Sequence, residues 1–322
     1  MSVFAGDIMQ AKEISLMSVT RFPGHTRAFL KIQDGCDSFC SYCIIPYARG
    51  PSRSLPEAEV IKNIVKLNQA GHHEVVLTGI HLGNYGHDLT PQTNLLRVLE
   101  AVERQKNVER LRLSSIEVTE ISDDLITFMA ESKTLCRHLH IPLQSGDSRI
   151  LALMRRNYDA PFVKSLLYKL HKTAPDIGIG MDVMVGFPGE DEVAFENTRQ
   201  LIEELPVSYL HVFPYSERPG TRAVDLPGKV EDRDKKRRAE ILRTIGKKKR
   251  QAFAQLFIGK ELSVLVEGEK KNDQDWNKGF SSNYIPVMIE RSRVPAANTI
   301  VRVVPEFVRE GKLYTRHIIR EQ

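Results

Sequence analysis

The chain has 322 residues, of which 41% are hydrophobic and 27% are charged, and its net charge is +5. This balance is typical of a folded globular protein and excludes a disordered, highly charged polypeptide. No run approaches the ~20 apolar residues that cross a bilayer, and the N-terminus lacks the pattern of a signal peptide, so we predict a cytoplasmic protein without membrane contact.

Short runs of β-forming residues alternate with helical stretches between residues 29 and 258. The runs begin at Phe29, Glu74, Arg110, Leu139, Gly180 and Tyr209. Pro56 and Ser122 are typical of residues at helix starts. Strands that alternate with helices imply βα units and a parallel sheet. Six such units are two fewer than in a closed eight-fold barrel, so the predicted fold class is α/β, an open (β/α)6 barrel with its chemistry where the strands end.

The first predicted strand is followed by three of the four cysteines, Cys36, Cys40 and Cys43. Their clustering favours metal or cluster ligation over disulfides. Three thiolates on one loop can hold three irons of a [4Fe–4S] cluster and leave the fourth iron open to a small molecule. The alternatives are buried thiols and structural zinc, which needs a fourth ligand; the spacing favours the cluster. Cys136 is predicted to be an ordinary buried residue.

Polar and glycine-rich segments follow the later strands, at the edge where barrels bind ligands. The residues concerned are Ser115, Glu117, Gln144, Ser145, Val185, Gly186 and Pro188. We expect Glu117 to bind ribose hydroxyls, Gln144 and Ser145 to point toward the barrel mouth, and the VGFPGE backbone to approach a planar ligand. A solvated acid and an ordinary glycine turn are the alternatives. Arg155 and Arg156 either hold a carboxylate or phosphate of the substrate or are surface side chains.

A basic segment, Lys229–Arg250, holds eleven basic and four acidic residues and is predicted to form a long helix joining two domains. It is either a solvated helix face or a surface that follows nucleic-acid phosphates, with Lys247, Lys248 and Lys249 as the phosphate contacts. From Gly259 onward short strands separated by polar turns predict a small all-β, OB-like barrel. The predicted domains are thus 25–258 and 259–322.

The cysteine loop with Tyr42 before its third cysteine, followed by GIHLGNYG, LHIPLQSGDSRILALMRRNY, MDVMVGFPGE and FPYSERPGTRA, resembles the radical S-adenosylmethionine (SAM) methylthiotransferases. The resemblance implies that SAM binds the open iron and that its reductive cleavage, with an electron from flavodoxin or ferredoxin, yields a 5′-deoxyadenosyl radical. It also implies that Tyr42 lies against the adenine, that Gly79 lies near the SAM amino group, and that the C-terminal barrel is a TRAM domain. No acid–base catalyst is assigned.

Within that family, FLKIQDGC, IIPYARGPSRS, GIHLGNYG and GFSSNYIPV resemble the branch that methylthiolates C2 of N6-threonylcarbamoyladenosine beside the anticodon of tRNA. The isopentenyladenosine and ribosomal-protein branches are the alternatives. The family also has an N-terminal domain with three cysteines for a second [4Fe–4S] cluster, and residues 1–24 resemble the linker after it.

The ligands of that second cluster are absent from these 322 residues. We therefore expect a truncated enzyme that cleaves SAM but does not methylthiolate tRNA alone. Two further alternatives are a catalytically incomplete RNA-binding remnant and a different radical SAM reaction that needs no second cluster.

Overall fold

The computed structural model describes residues 6–14, 26–268, 275–293 and 296–319. Most of the predicted linker, residues 1–5 and 15–24, lies outside the described residues. The helices are α1 Ile45–Arg49, α2 Glu57–Gln69, α3 Leu95–Gln105, α4 Asp123–Glu131, α5 Ser148–Leu153, α6 Ala160–Thr173, α7 Glu192–Glu204 and α8 Asp232–Gln255.

The strands fall into a parallel group and a mostly antiparallel group. The N-terminal strands are β1 Arg27–Lys31, β2 Gln33–Asp34, β3 Arg53–Ser54, β4 Glu74–Thr78, β5 Arg110–Leu113, β6 His138–Gln144, β7 Gly178–Val185 and β8 Tyr209–Pro214. The C-terminal strands are β9 Leu262–Val266, β10 Trp276–Ser281, β11 Pro286–Glu290, β12 Ile300–Val304, β13 Phe307–Arg309, β14 Lys312–Thr315 and β15 His317–Ile319.

Six parallel strands build the barrel in the order β1-β4-β5 and β6-β7-β8. Isolated bridges, among them Ser115 with His140, join the two sheets between β5 and β6. Each strand is followed by a helix that covers it. No ladder joins β1 to β8 within the described residues, so the barrel is open on that side. This confirms the predicted open (β/α)6 barrel.

Alternation along each strand separates the helical layer from the barrel interior. In β7 the side chains of Ile179, Met181 and Val183 are fully buried in the main hydrophobic core under the helices. The residues between them therefore face the interior of the barrel, because successive side chains of a strand point to opposite faces. Helix starts follow the sequence: the hydroxyl of Ser122 accepts from the backbone nitrogen of Leu125 at the start of α4.

The C-terminal strands form a second, all-β unit, as predicted. Seven strands pair in the order β13-β14-β11-β10-β9-β12-β15 around their own core, to which Val264, Val287 and Leu313 contribute. The basic segment forms α8, which packs along β8 and reaches β13 and β14. The turn between β10 and β11 lies against the amino end of the barrel, where Asn283 donates to the carbonyl oxygen of Asp176 over 3.0 Å.

Among the described residues, no helix has both the length and the apolar character needed to cross a membrane.

Candidate cluster and cofactor site

The loop that carries the three cysteines follows β2 and is held by a buried amide. Gln33 is fully buried, and its side-chain nitrogen donates to the carbonyl oxygen of Gly35 over 2.8 Å. Its side-chain oxygen accepts a 2.8 Å hydrogen bond from the backbone nitrogen of His81. The backbone nitrogen of Cys36 donates to the carbonyl oxygen of Gly50 over 3.1 Å. Gln33 thus fixes the cysteine loop relative to the loop after β4.

Two further features set the path of this loop. Gly35 has φ +76°, and a Cβ there would lie 1.9 Å from the carbonyl oxygen of Pro51, so only glycine fits. The hydroxyl of Ser41 donates to the carbonyl oxygen of Leu153 over 2.8 Å, which fastens the middle of the loop to α5.

The three thiols lie on one loop and are available as ligands. All three are half-buried and free of disulfides. A structural zinc ion is usually held by four protein ligands, whereas three thiolates can hold three irons of a [4Fe–4S] cluster and leave the fourth iron open.

His81 brings positive charge to this loop. Its Nδ1 lies 3.5 Å from Sγ of Cys36, and its Nε2 pairs with the carboxylate of Glu120. Burial opposes the charged imidazole, but these hydrogen bonds outweigh burial and raise the pKa of His81 to about 10. Burial alone would raise the pKa of Cys36, but the hydrogen bonds from His81 and Ser38 lower it. The thiolate is the form that binds iron.

Sequence reasoning did not single out His81 or Glu120. The sequence does contain one signal for His81: it is a polar residue in GIHLGN, directly after a barrel strand, where ligand-binding residues are expected. The position of Glu120 beside it depends on the pairing of β4 with β5, which no local pattern reveals.

Glu117 and Arg156 form an ion pair with each other. The Nη1 of Arg156 lies 3.4 Å from Sγ of Cys40, and its guanidinium lies over the ring of Tyr158 at 5.0 Å. Burial raises the pKa of Glu117, and the guanidinium partly offsets that rise. The side chain of Arg156 is only 6% exposed, whereas Arg155 is exposed with φ +59°. Arg156 therefore belongs to the interior of the site and Arg155 to its rim.

A cavity of about 380 Å³ lies between the cysteine loop, the loop after β4 and the segment 155–158. Cys40, His81, Glu117 and Arg156 line it. A thiol, an ion pair and a cationic imidazole face one space, so the cavity suits a small zwitterionic ligand held next to the cluster.

The VGFPGE segment ends β7 beside this site. The ring of Tyr42 packs edge-on against Phe187, with centroids 6.4 Å apart, so Tyr42 lies next to this segment. Val185 and Pro188 are buried. Gly186 has φ +74°, and a Cβ there would lie 2.2 Å from Cγ of Lys235 on α8. The missing side chain at Gly186 therefore makes room for α8.

The other predicted residues lie at the same edge of the barrel in different settings. A Cβ at Gly79 would lie 2.8 Å from Oε1 of Gln33, so this glycine lets the two loops pack closely. Gln144 is the last residue of β6, half-buried with φ +64°. Ser145 was predicted to face the mouth, and this is wrong: its hydroxyl lies 3.2 Å from Oγ1 of Thr198 on α7.

The three lysines of α8 separate into two groups. Lys247 and Lys248 are exposed. Lys249 donates to the carbonyl oxygens of Glu203 and Leu205, over 2.7 and 2.5 Å, at the C-terminal end of α7. Burial lowers the pKa of Lys249. Its ammonium group is already engaged by α7, which does not fit the predicted phosphate contact, whereas Lys247 and Lys248 keep that prediction.

Comparison with known proteins agrees with this geometry. The sequence profile of the radical SAM superfamily matches residues 30–202. The chain is 39% identical over 290 residues to threonylcarbamoyladenosine tRNA methylthiotransferase MtaB of Rickettsia prowazekii, which covers 90% of this chain and 67% of that protein. The protein of the same name from Bacillus subtilis is 40% identical over 286 residues, covering 88% and 63%.

A second group of relatives matches a shorter part of the chain. The tRNA-2-methylthio-N(6)-dimethylallyladenosine synthase of Syntrophus aciditrophicus is 37% identical over 249 residues, covering 77% of this chain and 54% of that protein. The chain spans 63% to 71% of the length of three MtaB relatives and 56% of the length of a fourth, from Thermotoga maritima.

Among solved structures, the radical SAM methyltransferase TsrM from Kitasatospora setae, solved with cobalamin and a [4Fe–4S] cluster, aligns with a TM-score of 0.53 at 16% identity. The alignment covers 61% of this chain and 38% of that chain. This likeness supports the barrel fold.

Proposed function

Because the chain belongs to the radical SAM superfamily and, within it, to the family of threonylcarbamoyladenosine tRNA methylthiotransferases, we propose that it acts in the transfer of a methylthio group to C2 of N6-threonylcarbamoyladenosine in tRNA. The observation that carries the proposal is the loop of three thiols at the carboxyl edge of the barrel, next to a cavity lined by Glu117 and Arg156.

A [4Fe–4S] cluster and SAM, when bound, supply the radical that removes a hydrogen atom from an unactivated carbon. The residues of this chain hold and orient them. Cys36, Cys40 and Cys43 are the iron ligands. In the adjoining cavity, Arg156 is the donor for a carboxylate and Glu117 the acceptor for ribose hydroxyls, and their ion pair keeps both in place. The electron comes from a small reductant protein such as flavodoxin or ferredoxin.

Three MtaB relatives support the threonylcarbamoyl substrate over the dimethylallyl one, because they match 88–94% of this chain. A fourth MtaB relative matches 76%, which is close to the 77–78% matched by the dimethylallyladenosine synthases. The all-β unit and the exposed lysines of α8 supply the surface for the phosphates of tRNA.

Deuterium transfer tests this proposal at its chemical centre. The reconstituted protein is incubated with SAM, dithionite and tRNA that carries threonylcarbamoyladenosine with deuterium at C2. We expect deuterium in the 5′-deoxyadenosine, because the radical is positioned against that carbon. The readout is mass spectrometry of the nucleoside, and it does not depend on how sulfur is delivered.

Two controls decide the outcome. The same tRNA with dimethylallyladenosine should give little transfer if the threonylcarbamoyl branch is right. Formation of 5′-deoxyadenosine without any deuterium from either tRNA would contradict the proposed target carbon. A protein with a full cluster that forms no 5′-deoxyadenosine would instead support the RNA-binding alternative.

A further inference from the structure

A group of three polar side chains lies inside the barrel, apart from the cysteine loop. His140 on β6, Asp182 on β7 and His211 on β8 each offer one ligand atom, and these three atoms all lie within 4.8 Å of one another. Oδ1 of Asp182 is 2.8 Å from Nε2 of His140 and 3.4 Å from Nδ1 of His211. We call these residues the lumen triad. Three adjacent strands hold it, so its geometry is set by the sheet rather than by a loop.

The register of the sheet explains why the three meet. Asp182 and His211 are direct partners in the β7–β8 ladder, and Gly180 pairs with both His140 and Tyr209. Gly180 faces the interior, and a Cβ there would lie 2.1 Å from Cζ of Tyr209. The missing side chain therefore lets the ring of Tyr209 lie across β7 and reach the histidines of β6.

Tyr209 links the lumen triad to a second layer of hydrogen bonds. Its hydroxyl is 3.1 Å from Nδ1 of His140 and 2.8 Å from Nε2 of His138. The tyrosine hydroxyl therefore gives Nδ1 of His140 a fixed hydrogen-bond partner, and Nε2 of His140 is the ring nitrogen that faces Asp182.

This is the arrangement that metal-binding histidines adopt, since the second ring nitrogen of such a histidine almost always donates to a fixed partner. Asp182 is suited to the carboxylate position. Its Oδ1 lies between the two imidazoles, 2.8 Å from Nε2 of His140 and 3.4 Å from Nδ1 of His211. Two imidazoles and one carboxylate on one side of an ion leave positions open on the other.

Solvent can reach the lumen triad from the open side of the barrel. The side chain of His211 is 51% exposed, and that of Asp182 is 24% exposed. His211 lies on β8, the edge strand that is not paired with β1 within the described residues, and Asp182 lies on the neighbouring strand β7. An ion can enter there without passing the cysteine loop.

We propose that His140, Asp182 and His211 form a mononuclear binding site for a divalent transition-metal ion, distinct from the cluster site. Zinc is the probe of choice because it is redox-inert and is counted separately from cluster iron. The reconstituted protein is loaded with Zn²⁺ under anaerobic conditions, desalted, and analysed for zinc and iron. We expect about one zinc per chain with unchanged iron, and zinc X-ray absorption with nitrogen and oxygen neighbours at ~2.0–2.2 Å and no sulfur at ~2.3 Å.

Variants assign the ion to the lumen triad. His211→Ala, which changes an exposed side chain, and Asp182→Asn, which keeps the size of the side chain, should both lose the zinc. His87→Ala removes an exposed imidazole elsewhere and should retain it. Tyr209→Phe should weaken zinc binding by about 10–100-fold, as expected for a positioning residue. Three results would each overturn the proposal. They are sulfur neighbours of the bound zinc, zinc retained in His211→Ala and Asp182→Asn, and no zinc bound by the parent protein.

Discussion

The two ends of the barrel use buried charge differently. At the amino end, the fully buried carboxylate of Glu74 pairs with Nε of Arg110 at 2.9 Å and with Nε of Arg112 at 2.7 Å. The outer guanidinium nitrogens donate to the carbonyl oxygens of Phe280 and Ser281 at the end of β10 and of Ser282 in the turn that follows. The ring of Tyr284 lies 4.9 Å from the Arg112 guanidinium. Here the charges are paired within the chain, and the arginines join this end of the barrel to the all-β unit.

At the carboxyl end the charges face a cavity. His81 and Arg156 contact thiol sulfurs, and their carboxylate partners, Glu120 and Glu117, line the same space. The same barrel thus has one end whose ion pairs are covered by protein and one end whose ion pairs border a ligand site. Buried charge at the first end is arranged for stability and domain docking, and at the second we propose that it serves cofactor binding.

The largest expected effect is the loss of activity at the carboxyl end, where each thiolate binds one iron of the cluster. Cys40→Ala should abolish both the brown cluster absorbance and SAM cleavage, because only two of the three protein ligands of the cluster would remain. Cys136→Ala should keep both, since Cys136 is a buried core residue. Iron analysis and chromatography of 5′-deoxyadenosine measure the pair. Full iron content in Cys40→Ala would contradict the assignment of the cluster.

At the amino end of the barrel the expected effect is on the stability of the protein instead. Glu74→Gln leaves two buried guanidinium groups without their counter-charge, so the free energy of unfolding should fall by ~3–5 kcal/mol. Glu117→Gln is the matched change at the carboxyl end, where the carboxylate side chain is 24% exposed. It should cost less stability and reduce SAM cleavage more. Denaturant titration and product analysis of both variants test the contrast, and a reversed order would refute the division of roles between the two ends.

The sequence predicted those features whose signal is local. Short runs of β-forming residues located all six barrel strands. The assignment of Cys36, Cys40 and Cys43 as cluster ligands also comes from local spacing, and it stays a prediction. Pro56 and Ser122 marked helix starts correctly, because capping depends on residues three or four positions apart.

What the sequence could not predict joins residues that are distant along the chain. The bond from His81 to Gln33 spans 48 positions, and the pair of Arg156 with Glu117 spans 39. Contact between the β10–β11 turn and the arginines of β5 spans about 170 positions. Each depends on strand order and register, which local patterns do not contain. The same holds for Lys249, whose partners lie on α7.

An effect of intermediate size is the pH dependence of stability that we expect from a carboxyl group beside the carboxyl end of the barrel. Burial raises the pKa of Glu190 to about 7, although Arg238 and the backbone nitrogens of Gly186 and Phe187 oppose it. The folded state then binds more protons than the unfolded state between pH ~4.5 and ~7, so stability should fall as the pH rises through that window, by at most ~3 kcal/mol.

Glu190→Gln should remove this pH dependence because its side chain does not titrate. Unfolding free energies at pH 5, 6, 7 and 8 and constant ionic strength measure the effect. Equal slopes in the parent protein and in Glu190→Gln would show that this carboxyl group is not the source.

The smallest expected effect concerns RNA binding on α8, and it separates neighbouring lysines. Lys247 and Lys248 are exposed, whereas Lys249 is bound to the carbonyl end of α7. If the exposed pair contacts tRNA phosphates, each contact adds ~0.9 to the slope of log affinity against log salt on duplex RNA, and somewhat less on single strands. Lys247→Gln with Lys248→Gln should therefore lower that slope by roughly 1–2.

Lys249→Gln should leave the slope unchanged and lower the melting temperature instead, because it removes the ammonium that caps α7. Binding isotherms at several salt concentrations, with melting curves of the same proteins, provide the comparison. A slope lowered by Lys249→Gln but not by the exposed pair would show that the phosphates approach α8 from the side of α7.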